Sequence, residues 1–152
     1  MDQRLPPLSL YVHLPWCAKK CPYCDFNSHK AGDAGLFERY TGAVIADIRE
    51  EATLASSRPV ETIFLGGGTP SLFSPQQIGR ILAACRQSLA LADHCEITME
   101  ANPGTIERGS LRAYREAGVT RLSIGAQTFD PDILQTLGRI HGPTEITDAV
   151  QE

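Results

Sequence analysis

Four short stretches stand out as runs of Val, Ile, Leu, Phe and Tyr: Leu8–His13, Thr62–Leu65, Glu96–Glu100 and Arg121–Gly125. Their length and β-branched or aromatic content predict strands. The segments between them have helical spacing. Leu36 to Leu54 places Phe37, Tyr40, Val44, Ile48 and Ala52 on one face. Ser74 to Leu89 opens with a cap signal, Ser74-Pro75 followed by Gln77, and carries Ile78, Ile81, Leu82, Cys85 and Leu89 on its apolar stripe. Glu107 to Ala117 stops at Gly118, and a short helix from Asp130-Pro131 to Leu137 closes at Gly138, both residues suited to a left-handed helix end.

The resulting order, β-α-β-α-β-α-β-α, predicts an α/β fold with a parallel sheet and right-handed crossovers. The pattern fits a doubly wound sheet and a (β/α) barrel equally. The final PTEITDAVQE reads as the first turns of a further helix, and four βα units leave an edge strand uncovered. The chain is therefore expected to be the N-terminal part of a longer domain.

Composition narrows the function classes. The 152 residues are 42% apolar and 21% charged, ordinary for a globular domain. A net charge of −4 without a basic block argues against nucleic-acid binding by phosphate neutralisation. No apolar run reaches the ~20 residues of a membrane span, and the start has no signal-peptide layout. Five cysteines, three of them crowded, do not form a disulfide framework; they suggest metal binding in a cytoplasmic protein.

The unusual residues fall at the strand exits, where parallel α/β folds bind ligands. The first exit is WCAKKCPYCDF, with Cys17, Cys21 and Cys24. The second is Gly66-Gly67-Gly68-Thr69-Pro70, the third Glu100-Ala101-Asn102-Pro103-Gly104, and the fourth Gly125-Ala126-Gln127-Thr128-Phe129. The C-x3-C-x2-C spacing departs from common zinc pairs, although zinc completed by Asp25, His13 or His29 stays open. Three thiolates on a four-iron cluster would leave one iron for an exogenous ligand. Cys85 and Cys95 read as buried residues, the first on a helix stripe and the second just before a strand.

The glycine run is not a nucleotide-binding loop, since no Gly-Lys-Ser/Thr follows. It lets backbone amides approach a ligand, or simply makes a tight turn. Glu100 and Gln127 offer polar groups on the rim, and Arg139 suits a carboxylate, though each also fits a solvated surface. His13 and His141 fit core or helix-edge roles better than metal or haem ligation.

C-x3-C-x-[FY]-C after a first strand, followed by GGGTP, resembles the radical S-adenosylmethionine (SAM) superfamily. YVHLPWCAKKCPYCDFNSH, FLGGGTPSLFS, EITMEANPG, RLSIGAQTFD and LGRIHGP together resemble its HemW-type haem chaperones, relatives of oxygen-independent coproporphyrinogen III oxidase. The matching blocks run from Leu5 to Pro143. The resemblance implies a partial (β/α) TIM-type barrel, with the first four βα units. It also implies a [4Fe-4S] cluster held by Cys17, Cys21 and Cys24, with SAM on the open iron, where an electron breaks a sulfur–carbon bond to give methionine and a 5′-deoxyadenosyl radical. Tyr11, Tyr23, Gly67, Gly68, Thr69, Glu100, Gln127 and Arg139 match SAM-contacting positions, with Tyr23 facing adenine. A later aspartate of that set would lie beyond Glu152. Thr128 departs from the usual serine.

Phe26 stands where the oxidase branch tends to carry a fourth cysteine. This favours the chaperone branch, which implies haem as cargo, haem-accepting respiratory proteins as partners and an electron donor. The alternative is oxidative decarboxylation of coproporphyrinogen III.

Overall fold

The computed structural model describes residues 5–55, 57–104 and 111–152. In chain order its elements are β1 (Leu8–Leu14), β2 (Trp16–Cys17), β3 (His29–Lys30), α1 (Ala34–Glu51) and a 3-10 turn (Ala52–Ala55). There follow β4 (Val60–Gly67), a 3-10 turn (Pro70–Leu72), α2 (Pro75–Ser88), β5 (Leu91–Ala101) and α3 (Leu111–Ala117). The last elements are β6 (Arg121–Ile124), α4 (Pro131–Thr136) and α5 (Pro143–Gln151).

The main sheet has the order β1-β4-β5-β6, and every pair is parallel. Each long strand is thus placed beside its predecessor in sequence. A doubly wound sheet reverses direction at a switch point, whereas a barrel adds strands in one direction. The monotonic order is that of the first four βα units of a (β/α) barrel. Helices α1, α2 and α3 pack in succession on one face, α1 against α2 and α2 against α3.

The period-2 alternation decides which face they cover. Val12 and Leu14 of β1, Ile63 and Leu65 of β4 and Ile97 and Met99 of β5 are buried in one core with Phe37, Ile48, Ile78, Ile81 and Leu82 of the helices. The alternate residues line the concave face and are largely polar. Thr62 donates to Ser9 at 2.8 Å, Thr98 to Glu96 at 3.0 Å, and Arg121 pairs Glu96 at 3.1 Å.

Local chemistry sets the boundaries. Asp33 caps α1 by accepting from the Leu36 amide. Ser74 and Gln77 form a reciprocal capping box at α2 with Pro75 in the first turn. Gly118, at φ 116°, and Gly138, at φ 69°, end α3 and follow α4 in the left-handed region. The Tyr114 hydroxyl, fully buried, bonds the Ser71 and Phe73 carbonyls at 3.0 and 2.8 Å, anchoring α3 to the turn after β4.

Differences from the sequence-based boundaries are modest. Strand β5 begins at Leu91, ahead of the expected Glu96, so Cys95 lies within the strand and only half-buried, whereas Cys85 is fully buried. The helix expected from Leu36 to Leu54 ends as α-helix at Glu51 and tightens into the 3-10 turn. The predicted start at Glu107 lies outside the described residues. PTEITDAVQE does form a helix, α5.

Candidate functional site

The cysteine loop is clamped where it leaves and rejoins the fold. Strands β2 and β3 pair Trp16 with His29 and Cys17 with Lys30. The His29 amide donates to the Pro15 carbonyl, and that of Ala31 to Cys17, both at 2.8 Å. Within the loop, the Cys24 amide bonds the Cys21 carbonyl at 3.1 Å, and the Lys20 ammonium reaches the Ser28 carbonyl at 3.2 Å.

The glycine turn after β4 is laced to the same loop. The Gly68 amide donates to the Leu14 carbonyl at 2.9 Å, and Thr69 to Trp16 at 2.8 Å. A Cβ on Gly68 would sit 2.6 Å from the Pro15 carbonyl carbon and oxygen, contact that no side chain tolerates. At Gly67, with φ 120°, a Cβ would strike the His13 ring at 2.6 Å. These two glycines serve close approach and left-handed backbone, respectively.

A cavity of about 340 Å³ opens where the four strand exits meet. Cys17, Cys21 and Cys24 line it together with Tyr23 from the same loop. Gly67, Gly68 and Thr69 form a second wall, Glu100 and Asn102 a third, and Gln127 and Arg139 a fourth. Tyr11 is the one predicted site residue absent from this wall; it lines an adjoining cavity that shares Gly67, Glu100 and Phe26 with the first. Gln127 adopts φ 69°, unusual for a residue with a Cβ, and so places backbone strain on the rim.

Arg139 is the hub of the polar wall. Its Nη2 donates to Asn102 Oδ1 and to the Gly125 carbonyl, the latter at 2.8 Å. Its Nη1 reaches Cys21 Sγ at 3.4 Å and the Tyr23 hydroxyl at 3.5 Å. Its Nε is buried without a protein partner. Asn102 Nδ2 donates to Thr69 Oγ1 at 3.1 Å, and Thr69 Oγ1 to Cys17 Sγ at 3.7 Å. Sequence reasoning did not single out Asn102: an Asn-Pro after a strand reads as a turn, and its partners are remote in sequence. Burial raises the Tyr23 hydroxyl above its ordinary pKa, with Arg139 opposing.

The second polar group centres on His13. A carbonyl only accepts, so Nε2 carries the proton that bonds the Asn27 carbonyl at 2.8 Å, and Nδ1 accepts from the Tyr11 hydroxyl at 3.1 Å. Both ring nitrogens are thereby engaged, and His13 supports the glycine turn. The Tyr11 ring stacks on Phe64 at 6.1 Å, and burial, then the Glu100 charge, raise its hydroxyl pKa. Glu100 Oε2 accepts from the Gly67 amide at 3.1 Å. His141 is buried, its Nε2 facing the Ala126 carbonyl at 3.4 Å and its Nδ1 unpaired. Burial lowers its pKa.

The donor set fits an iron–sulfur cluster. Three thiols line one cavity, while Cys85 and Cys95 belong to α2 and β5, in or against the core. Among the described residues no three His, Cys, Asp or Glu side chains gather about a point that one metal ion could occupy. The Arg139 guanidinium on that wall is a donor type suited to a ligand carboxylate. Phe26, 64% exposed, lines the cavity beside Cys24.

Residues 11–152 match the Radical SAM superfamily profile. The chain is 49% identical over 148 residues to "Heme chaperone HemW" of Escherichia coli (strain K12), covering 97% of this chain and 39% of that protein. It is 45% identical over 151 residues to the protein of the same name from Haemophilus influenzae, again covering 97% and 39%. Among solved structures it resembles the Escherichia coli coproporphyrinogen III oxidase HemN, described as a radical SAM enzyme, with a TM-score of 0.87 and 32% identity over 95% of this chain and 33% of that one. The chain thus spans about two-fifths of the length of the curated relatives it matches. Membership of the radical SAM superfamily implies a [4Fe-4S] cluster and SAM. With its profile matched over nearly the whole chain, the protein belongs to the radical SAM superfamily.

Proposed function

We propose that this chain forms the cluster- and SAM-binding part of a haem chaperone, with haem as cargo for respiratory target proteins. The observation that carries this reading is the meeting of three thiols from one loop with three further strand exits around a cavity of about 340 Å³, with no fourth thiol on its wall. Cys17, Cys21 and Cys24 are assigned as the ligands of a [4Fe-4S] cluster. The unclaimed iron is assigned to the amino and carboxylate groups of SAM. When bound, the cluster supplies one electron to the sulfonium.

The residues around it have separable tasks. Gly67 and Gly68 let main chain approach the ligand without a Cβ, and Thr69 presents a hydroxyl. Glu100 is assigned to the ligand's positive or hydroxyl groups, Gln127 to its polar edge and Arg139 to its carboxylate. Tyr23 offers a ring for adenine, and Tyr11 extends the wall from the adjoining cavity.

The chaperone reading is favoured over the oxidase reading by Phe26, which occupies the position of the oxidase branch's additional cysteine, and by the 49% identity to HemW against 32% to HemN. Haem delivery, its acceptors and the electron donor belong to this proposal. Coproporphyrinogen III oxidation is the competing one.

Anaerobic reconstitution is expected to give about four irons per chain with charge-transfer absorption, and SAM is expected to alter the spectrum of the reduced protein. One zinc per chain and no such absorption would reject the assignment. A haem titration beside a coproporphyrinogen III turnover assay separates the two branches: binding without turnover supports the chaperone, and formation of protoporphyrinogen IX supports the oxidase.

A further inference from the structure

We infer that Asn102 is a positioning residue that directs hydrogen-bond donors onto two of the three thiols and thereby raises the reduction potential of the cluster they hold. This rests on the assignment of Cys17, Cys21 and Cys24 as cluster ligands.

The proton inventory fixes the direction of the network. A guanidinium only donates, so the Asn102 atom facing Arg139 is Oδ1, and the amide nitrogen faces Thr69. That nitrogen also only donates, so Thr69 Oγ1 receives a proton from it and has its own single proton free. The remaining neighbour of that hydroxyl is Cys17 Sγ at 3.7 Å. On the other branch, Arg139 Nη1 donates to Cys21 Sγ at 3.4 Å. Every step runs toward sulfur, and Cys17 and Cys21 are both acceptors.

Cys24 differs. Its neighbour is Ser28 Oγ at 4.0 Å, where either atom can be the donor. The three sulfurs therefore sit in unequal fields, two facing donors oriented through one amide. Donors on cysteinyl sulfur stabilise the more negative, reduced cluster and move its potential upward. Asn102 acts through two neighbours. It fixes the Thr69 hydroxyl rotor and gives the Arg139 fork a second acceptor beside the Gly125 carbonyl.

The test is the cluster midpoint potential, measured without SAM in the reconstituted full chain. Thr69→Val removes the hydroxyl at nearly constant shape and is expected to shift the midpoint negative, while Thr69→Ser restores the wild-type value. Asn102→Asp turns the network around, because a carboxylate accepts from Thr69 and draws its proton away from Cys17. Introducing Thr69→Val into that background is expected to cause no further shift, and comparing within it cancels the added charge. Asn102→Ala replaces Asn102→Asp as the background if the latter takes up no iron.

An unchanged midpoint in Thr69→Val, an equal Thr69→Val shift in both backgrounds, or a Thr69→Ser variant displaced as far as Thr69→Val would overturn the inference. So would failure of both Asn102 variants to load iron while Thr69→Val loads, which would make Asn102 a requirement for assembly. A wild-type chain without charge-transfer absorption removes the cluster assignment, and the inference with it; a loaded wild type with unmoved variants removes the inference alone.

Discussion

The Gly67 amide donates to Glu100 Oε2 at 3.1 Å, joining the exits of β4 and β5 across the sheet. The carboxylate is partly buried and holds the glycine turn in the conformation that Gly67's φ of 120° requires. Hydrogen bonds to charged groups contribute about 1.5–3 kcal/mol. Glu100→Ala is expected to lower unfolding free energy by roughly 1–2 kcal/mol, because water can reach part of the freed amide. Glu100→Gln, which keeps an acceptor, should recover most of that loss while still weakening SAM binding. Denaturant melts and calorimetric titration with SAM read the two effects separately.

Gly68 and Gly42 make a matched pair of glycine substitutions. A Cβ at Gly68 meets the Pro15 backbone at 2.6 Å, so Gly68→Ala should cost roughly 1–3 kcal/mol and displace the cysteine loop. A Cβ at Gly42, exposed in α1, meets nothing within 4 Å. Gly42→Ala should stabilise by roughly 0.5–1 kcal/mol through helix propensity. Thermal denaturation should move in opposite directions for the two variants, with iron uptake impaired only in Gly68→Ala.

Tyr114→Phe removes a buried hydroxyl bonded to the Ser71 and Phe73 carbonyls. Its loss leaves acceptors in the core and should lower unfolding free energy by roughly 1–2 kcal/mol, read as a lower denaturant midpoint. The ring remains in place, so far-UV circular dichroism should be unchanged.

His141 gives the fold a pH dependence. Burial holds its pKa below the ordinary 6.5, with Arg139 acting in the same direction and the Ala126 carbonyl and Glu145 opposing. The unfolded chain therefore binds a proton that the folded chain resists. Stability from this group is fully present above about pH 6.5 and declines as pH falls through the depressed folded value. Wild type should lose more stability than His141→Asn between pH 7.5 and 5.5 in parallel denaturant titrations.

Cys85 is fully buried, and its thiol is pushed up to about 11 by that burial. The thiolate is the reactive form, so Cys85 should resist alkylation at pH 8 in the native protein and react on unfolding. Mass spectrometry of iodoacetamide-labelled peptides checks this against Cys95, which is half-buried.

Legibility in the sequence followed the length of the signal. The α2 capping box was readable because Ser74, Pro75 and Gln77 are local, and it formed as expected. The apolar centres of the strands were readable for the same reason, with β1 extending one residue beyond His13. Residues Leu91 to Cys95 carry polar Asp93 and His94, so no apolar run announced that β5 begins there; its pairing of Leu91 with Val60 supplies that start. The two-residue strands β2 and β3 are too short to show a period. At the site, the four strand exits were evident once the strands were placed. The bonding of Asn102 to Thr69 and Arg139 was not, since those partners are 33 and 37 residues away. Tyr11 was matched to a SAM-contacting position by resemblance, but its place in an adjoining cavity was not readable, because that depends on the Phe64 ring beside it.

Strand order has a consequence for biosynthesis. Each long strand lies next to the one made before it, so successive βα units can dock in turn as they leave the ribosome. The cavity cannot mature on that schedule. Cys21 emerges 118 residues ahead of the arginine that reaches its sulfur, leaving the thiols without that wall while those residues are made. On the proposed cluster assignment, iron loading belongs after the nascent chain has passed Arg139, and a ribosome stalled upstream should present thiols open to oxidation.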